Sequence, residues 1–224
     1  MTKKKGIRLI ANLPSLDISR INVISHKCYP VFACLPSNKM YLALVYLEVK
    51  PSTFFHFAPS HLYQPEFSCF LRNFCQILKK LGLCYGFGLC QQFPIDHSRK
   101  SSLVALYVAI DQKSLIRVMT AETEREFGLA LGFPETAVKA FCEDPGYTRT
   151  WSGDKEEKII YYSLPRRLRE IFGWGYVMSK ENWQEEIKIL KKWYQTLRQD
   201  APILFRQFDE FSKTGTVKTH KQTF

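Results

Sequence analysis

The chain holds few carboxylates where it begins: residues 1–100 carry 4 acidic side chains against 13 basic ones. It also lacks any apolar run near the roughly 20 residues that cross a bilayer, and none follows the basic start "MTKKKGIRLIANLP" as a secretory leader would require. Those absences leave a membrane span and a leader without support, and the default expectation is a soluble, cytoplasmic protein. No internal repeat is visible. "GFGLC" (86–90) and "GWG" (173–175) lack the third glycine or the Lys-Ser/Thr of a phosphate-binding loop. The cysteines at 28, 34, 69, 75, 84, 90 and 142 form no C-x-x-C pair. Three pairs six apart do not suit thiolate–zinc ligation. Buried, reduced thiols are the expectation.

What is present is length, aromatic bulk and positive charge. A chain of 224 residues with 46% hydrophobic content can build a substantial core. Seventeen Phe, 11 Tyr and 4 Trp supply large buried areas or stacking faces. The net charge of +11 is uneven: +9 over residues 1–100, −2 over 101–150 and +4 over 151–224. Such a field attracts polyanions: nucleic acid, anionic lipid or an acidic protein face.

Hydrophobic patterning divides the chain into elements. "IRLIANL" near the start reads as a short edge strand or a basic arm. "INVISHKCYPVFACL" (21–35) and "MYLALVYLEVK" (40–50) read as strands around the turn "PSNK" (36–39), forming a hairpin. "PSTFFHFAPSHLYQP" (51–65) carries three prolines and no periodic pattern. "EFSCFLRNFCQILKKLG" (66–82) places Phe67, Phe70, Leu71, Phe74, Leu78 and Leu81 on one helical face, with Gly82 as the C-terminal cap. Segments 83–93 and 101–111 read as strands joined by a polar loop.

Thr120 is the expected N-cap of a helix running to Leu131, with Glu122 and Glu124 in its first turn. Gly132 ends it, and Pro134 fits the first position of the next helix. Phe127, Gly128, Gly132, Phe133 and Pro134 therefore form a helix–turn–helix corner. "IIYYSL" (159–164) reads as a short strand and "PRRLREIFGWG" (165–175) as a short basic helix. Ser179 is the expected cap of an amphipathic helix over 180–199 with Trp183, Ile187, Leu190, Tyr194 and Leu197 as its stripe. Pro202 starts a final helix. The organisation expected is an α+β core over 1–150, a helical segment over 151–212 packed on it, and a basic tail over 213–224. The fold class is α+β: a mostly antiparallel sheet from segments near 21–50, 83–93 and 101–111, covered by amphipathic helices.

Catalytic motifs are not visible. His56 and His61 lie five apart with Cys69 and Cys75 beyond, which matches no common zinc class, so neither metal nor cofactor is predicted. The carboxylates at 122, 124, 126, 135, 143 and 144 complement helix starts more simply than they form an acid–base pair. Basic clusters are the stronger signal: Lys3, Lys4, Lys5 and Arg8; Arg166, Arg167 and Arg169; Lys213, Lys218 and Lys221. The second cluster precedes Phe172, Trp174 and Tyr176, and arginines beside aromatic rings suit single-stranded nucleic acid, where cations meet phosphates and rings stack on bases.

"REFGLALGFPETAVKAF" (125–141) resembles the E-I-G-x-x-L-G-Y-P-x-x-D-V-x-x-F signature of an uncharacterised bacterial family. A second, mainly archaeal family carries a related L-G-Y-P-x-C-C pattern. The layout upstream is also similar: "VKPSTFFHF" (49–57), an amphipathic helix, then the strand "LVALYVAID" (103–111). The resemblance covers roughly residues 49–145 and speaks to organisation. This chain has Phe133 in place of the tyrosine and Thr136-Ala137 where those families place Asp or Cys.

Three functional classes follow. The first is a non-enzymatic basic accessory protein binding nucleic acid, RNA favoured, or a nucleic-acid-containing assembly of which it is a subunit. The second is a small-ligand-binding protein or enzyme with its pocket at the 127–134 corner. The third is a subunit or inhibitor meeting an acidic protein surface.

Overall fold

The computed structural model describes residues 1–13, 36–89, 103–143, 178–179 and 181–214. The expected strand at 21–35, the 159–175 segment, Arg166, Arg167, Arg169, Trp174, Lys218 and Lys221 lie outside them.

The fold is α+β. Three strands, β1 (Ser52–Phe57), β2 (Cys84–Leu89) and β3 (Val104–Ala109), form an antiparallel sheet in the order β1-β3-β2. Ser52 pairs with Ala109 across one edge of β3, and Cys84 pairs with the same residue across the other. β1 and β2 thus run in the same direction with β3 inserted between them, a split β-α-β arrangement closed by the intervening helix. β3 reads as the unbroken run "VALYVA" because both of its faces are covered: Ala105 to Ala109 are each 0–1% exposed.

Eight helices are seen among the described residues: α1 (Lys3–Ala11), α2 (Pro36–Tyr46), α3 (Pro65–Leu81), α4 (Gln112–Met119), α5 (Glu124–Ala130), α6 (Glu135–Glu143), α7 (Trp183–Asp200) and α8 (Pro202–Thr214). A short 3-10 turn, Pro59–Tyr63, leads into α3. Strand alternation sorts the core into two clusters. Phe55, Phe57, Leu106 and Val108 face α1, α2, α3, α7 and α8. Phe54, Ala105, Tyr107 and Ala109 face α4 and α5. Phe133 packs against both clusters.

Several expectations are corrected. Residues 40–46 are helix, not strand, and the turn at 36–39 is the first turn of that helix. Met40, Leu42, Ala43, Leu44 and Val45 are all 0–1% exposed. α2 lies between the sheet and helices α1, α7 and α8, so it is apolar all round and shows no helical period. The sheet strand instead comes from Ser52–Phe57, inside the Pro-rich stretch that carried no trusted pattern. The start of the chain is the helix α1 rather than an edge strand. α4 was not anticipated; Asp111 caps it, its Oδ1 accepting from Ser114 N at 2.7 Å.

Thr120 ends α4 rather than starting α5, its Oγ1 donating to Ile116 O. The N-cap of α5 is Thr123, in a reciprocal box with Glu126. α7 begins at Trp183, not at 180. Ser179 precedes it and accepts from Asn182 N through its hydroxyl. Trp193 lies on the buried stripe of α7 at 2% exposed, whereas Trp183 is only partly buried. α8 continues to Thr214, so Lys213 stands in a helix rather than a tail.

Candidate functional site

The corner between α5 and α6 is built as the sequence implies. Gly132 takes φ +79, the left-handed conformation that ends a helix. Its N–H donates to Leu129 O and that of Phe133 to Gly128 O, which satisfies the last carbonyls of α5. Pro134 stands immediately before α6 rather than in its first position, its carbonyl accepting from Val138 N. A Cβ on Gly128 would lie 2.9 Å from Val138 Cγ2, so this glycine lets the two helices close. Phe127 meets Phe54 edge-on, with ring centroids 5.2 Å apart.

Tertiary structure then brings to the corner the turn that leads into β1. A Cβ on Gly132 would stand 2.5 Å from Pro51 Cδ. The Glu48–Ser52 turn is therefore seated on Gly132. This turn is pinned at four points: Val49 N and Lys50 N donate to Leu44 O, Ile110 N donates to Pro51 O, and Ser52 Oγ donates to Ala130 O at 2.8 Å. Glu48 takes φ +62, the one non-glycine positive φ among the described residues.

That rigid turn delivers Lys50 into the core at 2% exposed. Its Nζ lies 4.4 Å from the Phe133 ring centroid, 4.6 Å from Trp193 and 5.2 Å from Tyr41. The rings come from three separate places: the corner, α7 and α2. No carboxylate or carbonyl bonds to Lys50 among the described residues. Burial pushes its ammonium down to about 7. The π faces oppose that shift, each favouring the charged form by on the order of 0.5–2 kcal/mol. Both protonation states are then accessible near neutral pH. The Tyr41 hydroxyl is enclosed and has no hydrogen-bond partner among the described residues, and burial raises its pKa.

Glu186 is 1% exposed on α7, two turns before Trp193. It accepts from Thr136 Oγ1 at 2.6 Å and from Ser179 Oγ and N at 2.6 and 2.7 Å. The carboxylate ties α6 and the start of α7 together.

The basic residues are elsewhere. Lys3, Lys4, Lys5 and Arg8 are exposed on α1, while Gly6, Ile7, Ile10 and Ala11 form its buried side. The first turn of α1 has no acidic residue, and Thr2 makes no side-chain cap bond. The C-terminal end of α1 is held by Lys39, whose Nζ donates to Leu13 O at 2.6 Å and Ala11 O at 3.1 Å.

Sequence reasoning missed Lys50, Tyr41 and Trp193. No motif marks them, because their neighbourhood exists only once α2, the corner and α7 meet. Of the expected buried thiols, Cys69 and Cys142 are exposed and Cys75 and Cys84 are half-buried. Cys75 and Cys84 pack against the margins of the two core clusters, whereas Cys69 and Cys142 stand on exposed helix faces. His61 is buried, and its Nδ1 accepts from Ala58 N, so the ring serves the 3-10 turn.

Fold and site together define an α+β protein with a split β-α-β sheet, a buried aromatic-caged lysine and a basic N-terminal helix. No protein-family model, curated protein or solved structure matches the chain. No helix among the described residues is long and apolar enough to cross a membrane.

Proposed function

We propose that this is a basic accessory protein that binds nucleic acid, RNA in preference to duplex DNA, as a cytoplasmic component of a larger assembly. The carrying observation is α1, whose four cations are exposed opposite a buried apolar side. Among the described residues no acidic partner neutralises them. Lys3, Lys4 and Lys5 crowd the positive end of the helix dipole and destabilise it, while Arg8 stands in the last turn. Phosphate at that end relieves the repulsion and meets the free N–H groups of the first turn. Arg166, Arg167, Arg169, Trp174, Lys218 and Lys221 add the remaining charge and a stacking ring in the sequence, which favours single strands.

The test is binding of nuclease-treated protein to labelled single-stranded RNA and duplex DNA across a salt series. The slope of log K against log[salt] is about −0.7 per phosphate neutralised on a single strand. Replacing Lys3, Lys4, Lys5 and Arg8 by Ala should flatten the RNA slope by about 2–3. Replacing Arg166, Arg167 and Arg169 should flatten it further. Feeble binding at low salt overturns the reading and turns attention to an acidic protein surface.

A further inference from the structure

A lysine kept in a protein core for structural reasons is ordinarily given acceptors. Lys39 illustrates the rule in this molecule: it is 7% exposed and its Nζ donates to two carbonyls that end α1. Lys50 is buried more deeply and bonds to none among the described residues. It is enclosed by Phe133, Trp193 and Tyr41, and the Tyr41 hydroxyl is itself enclosed and unbonded. Two polar groups without partners among the described residues therefore share one aromatic enclosure, Tyr41 from α2 and Lys50 from a turn fixed by four hydrogen bonds.

We propose that Lys50 is the reactive amine of a ligand site that condenses reversibly with a small aldehyde or ketone, with the Tyr41 hydroxyl as the accompanying proton donor. The neutral Nζ adds to the carbonyl carbon. A C–N bond forms, and a proton passes from nitrogen to the carbonyl oxygen. The resulting hydroxyl, protonated by the Tyr41 phenol, leaves as water, and the remaining N–H proton returns to the phenolate as the C=N bond forms. Aldehyde and amine thus become imine and one water, with no change of oxidation state. The aromatic side chains around Nζ favour a small carbonyl compound without charge. Exclusion of water slows hydrolysis of the imine. Desolvation is a recognised way to activate a lysine nucleophile. Burial lowers the Lys50 ammonium toward 7, so a larger share of its amine is neutral at pH 7 than for a lysine in water. A surface lysine near 10.4 is neutral in only about one molecule in several thousand.

The intact protein would be treated with millimolar acetaldehyde and cyanoborohydride, the hydride source that traps imines as ethyl-lysine, and each lysine's rate read by peptide mass spectrometry. Exposed Lys188, Lys191 and Lys192 on α7 serve as internal references. At pH 7 Lys50 should be modified at least about tenfold faster than these three. Its rate should level off above pH 8 while theirs keep rising. Tyr41→Phe should slow Lys50 several-fold and leave the references unchanged. Modification of Lys50 at or below the reference rates in the folded protein, or only after denaturant is added, overturns the proposal.

Discussion

Lys39 and Lys50 bring charge into the same core from opposite ends of α2, and each is met differently. Lys39 closes a helix end: its ammonium takes up the carbonyls of Ala11 and Leu13, and Gln207 Nε2 also reaches Ala11 O at 3.3 Å. Lys50, after the other end, meets π faces and no hydrogen-bond acceptor among the described residues. The first environment solvates a cation with oxygen dipoles. The second offers quadrupoles, which compensate less of the lost hydration. One lysine therefore strengthens a junction, while the other is a strained group that the surrounding packing holds in place. Glu48, two residues before Lys50, carries a left-handed backbone in the same turn, and such strain is tolerated only where neighbours over-determine it.

The sharpest way to break this contrast is at Gly132, the seat of the Lys50 turn. Gly132→Ala meets both a left-handed φ and Pro51 Cδ at 2.5 Å. A loss of about 3–4 kcal/mol by denaturant titration is expected. Gly82→Ala has a similar φ of +74 but nothing within 4 Å of the new Cβ, so its loss should be only about 1–2 kcal/mol. Equal losses would mean that Pro51 yields and the turn is not held by the corner.

Exchanging the lysines themselves comes next. Lys39→Met leaves Leu13 O without its side-chain donor and Ala11 O with Gln207 alone, and should cost about 1–3 kcal/mol. Lys50→Met removes an incompletely compensated charge and should instead stabilise at pH 6, by about 1–3 kcal/mol. pH separates them further. The unfolded chain holds the Lys50 proton up to its ordinary value of 10.5, the folded protein only to about 7. Between those values the unfolded state binds more protons, so stability rises with pH. The penalty is full below about 7 and is relieved as pH approaches 10.5. Urea midpoints from pH 6 to 10 should climb in wild type, and in Lys50→Met that climb should be lost.

The smallest effect is at Glu48. Glu48→Gly relieves its positive φ and should add about 0.5–1 kcal/mol, because the glycine's greater unfolded entropy offsets part of the gain. A loss there would assign the Glu48 side chain a role that its exposed position does not suggest.

Much of this was legible in the sequence where one element decides its own form. α3 shows six apolar residues at helical spacing, and all six are buried, with Gly82 in the left-handed cap. The corner was legible because Gly132 and Pro134 act on their own backbone. The start of α5 was recoverable too, since Thr123-x-x-Glu126 fits a reciprocal cap and Thr120 does not. α2 was not. A continuous apolar run describes a buried helix and a buried strand equally well, and its environment chooses between them. β1 was hidden by its flanking prolines, Pro51 and Pro59, which bound the strand without interrupting it.

The sequence by itself determined the excess of positive charge, the class of fold, the amphipathic α3 and the break at Gly132, because these depend on side-chain type and near-neighbour backbone geometry. Only the tertiary structure decided that Phe133, Tyr41 and Trp193 surround one amine. Their separation along the chain is large, and a change in protonation of this kind arises from desolvation by distant segments. Desolvation is a property of what packs around a group, so no local pattern could have announced Lys50.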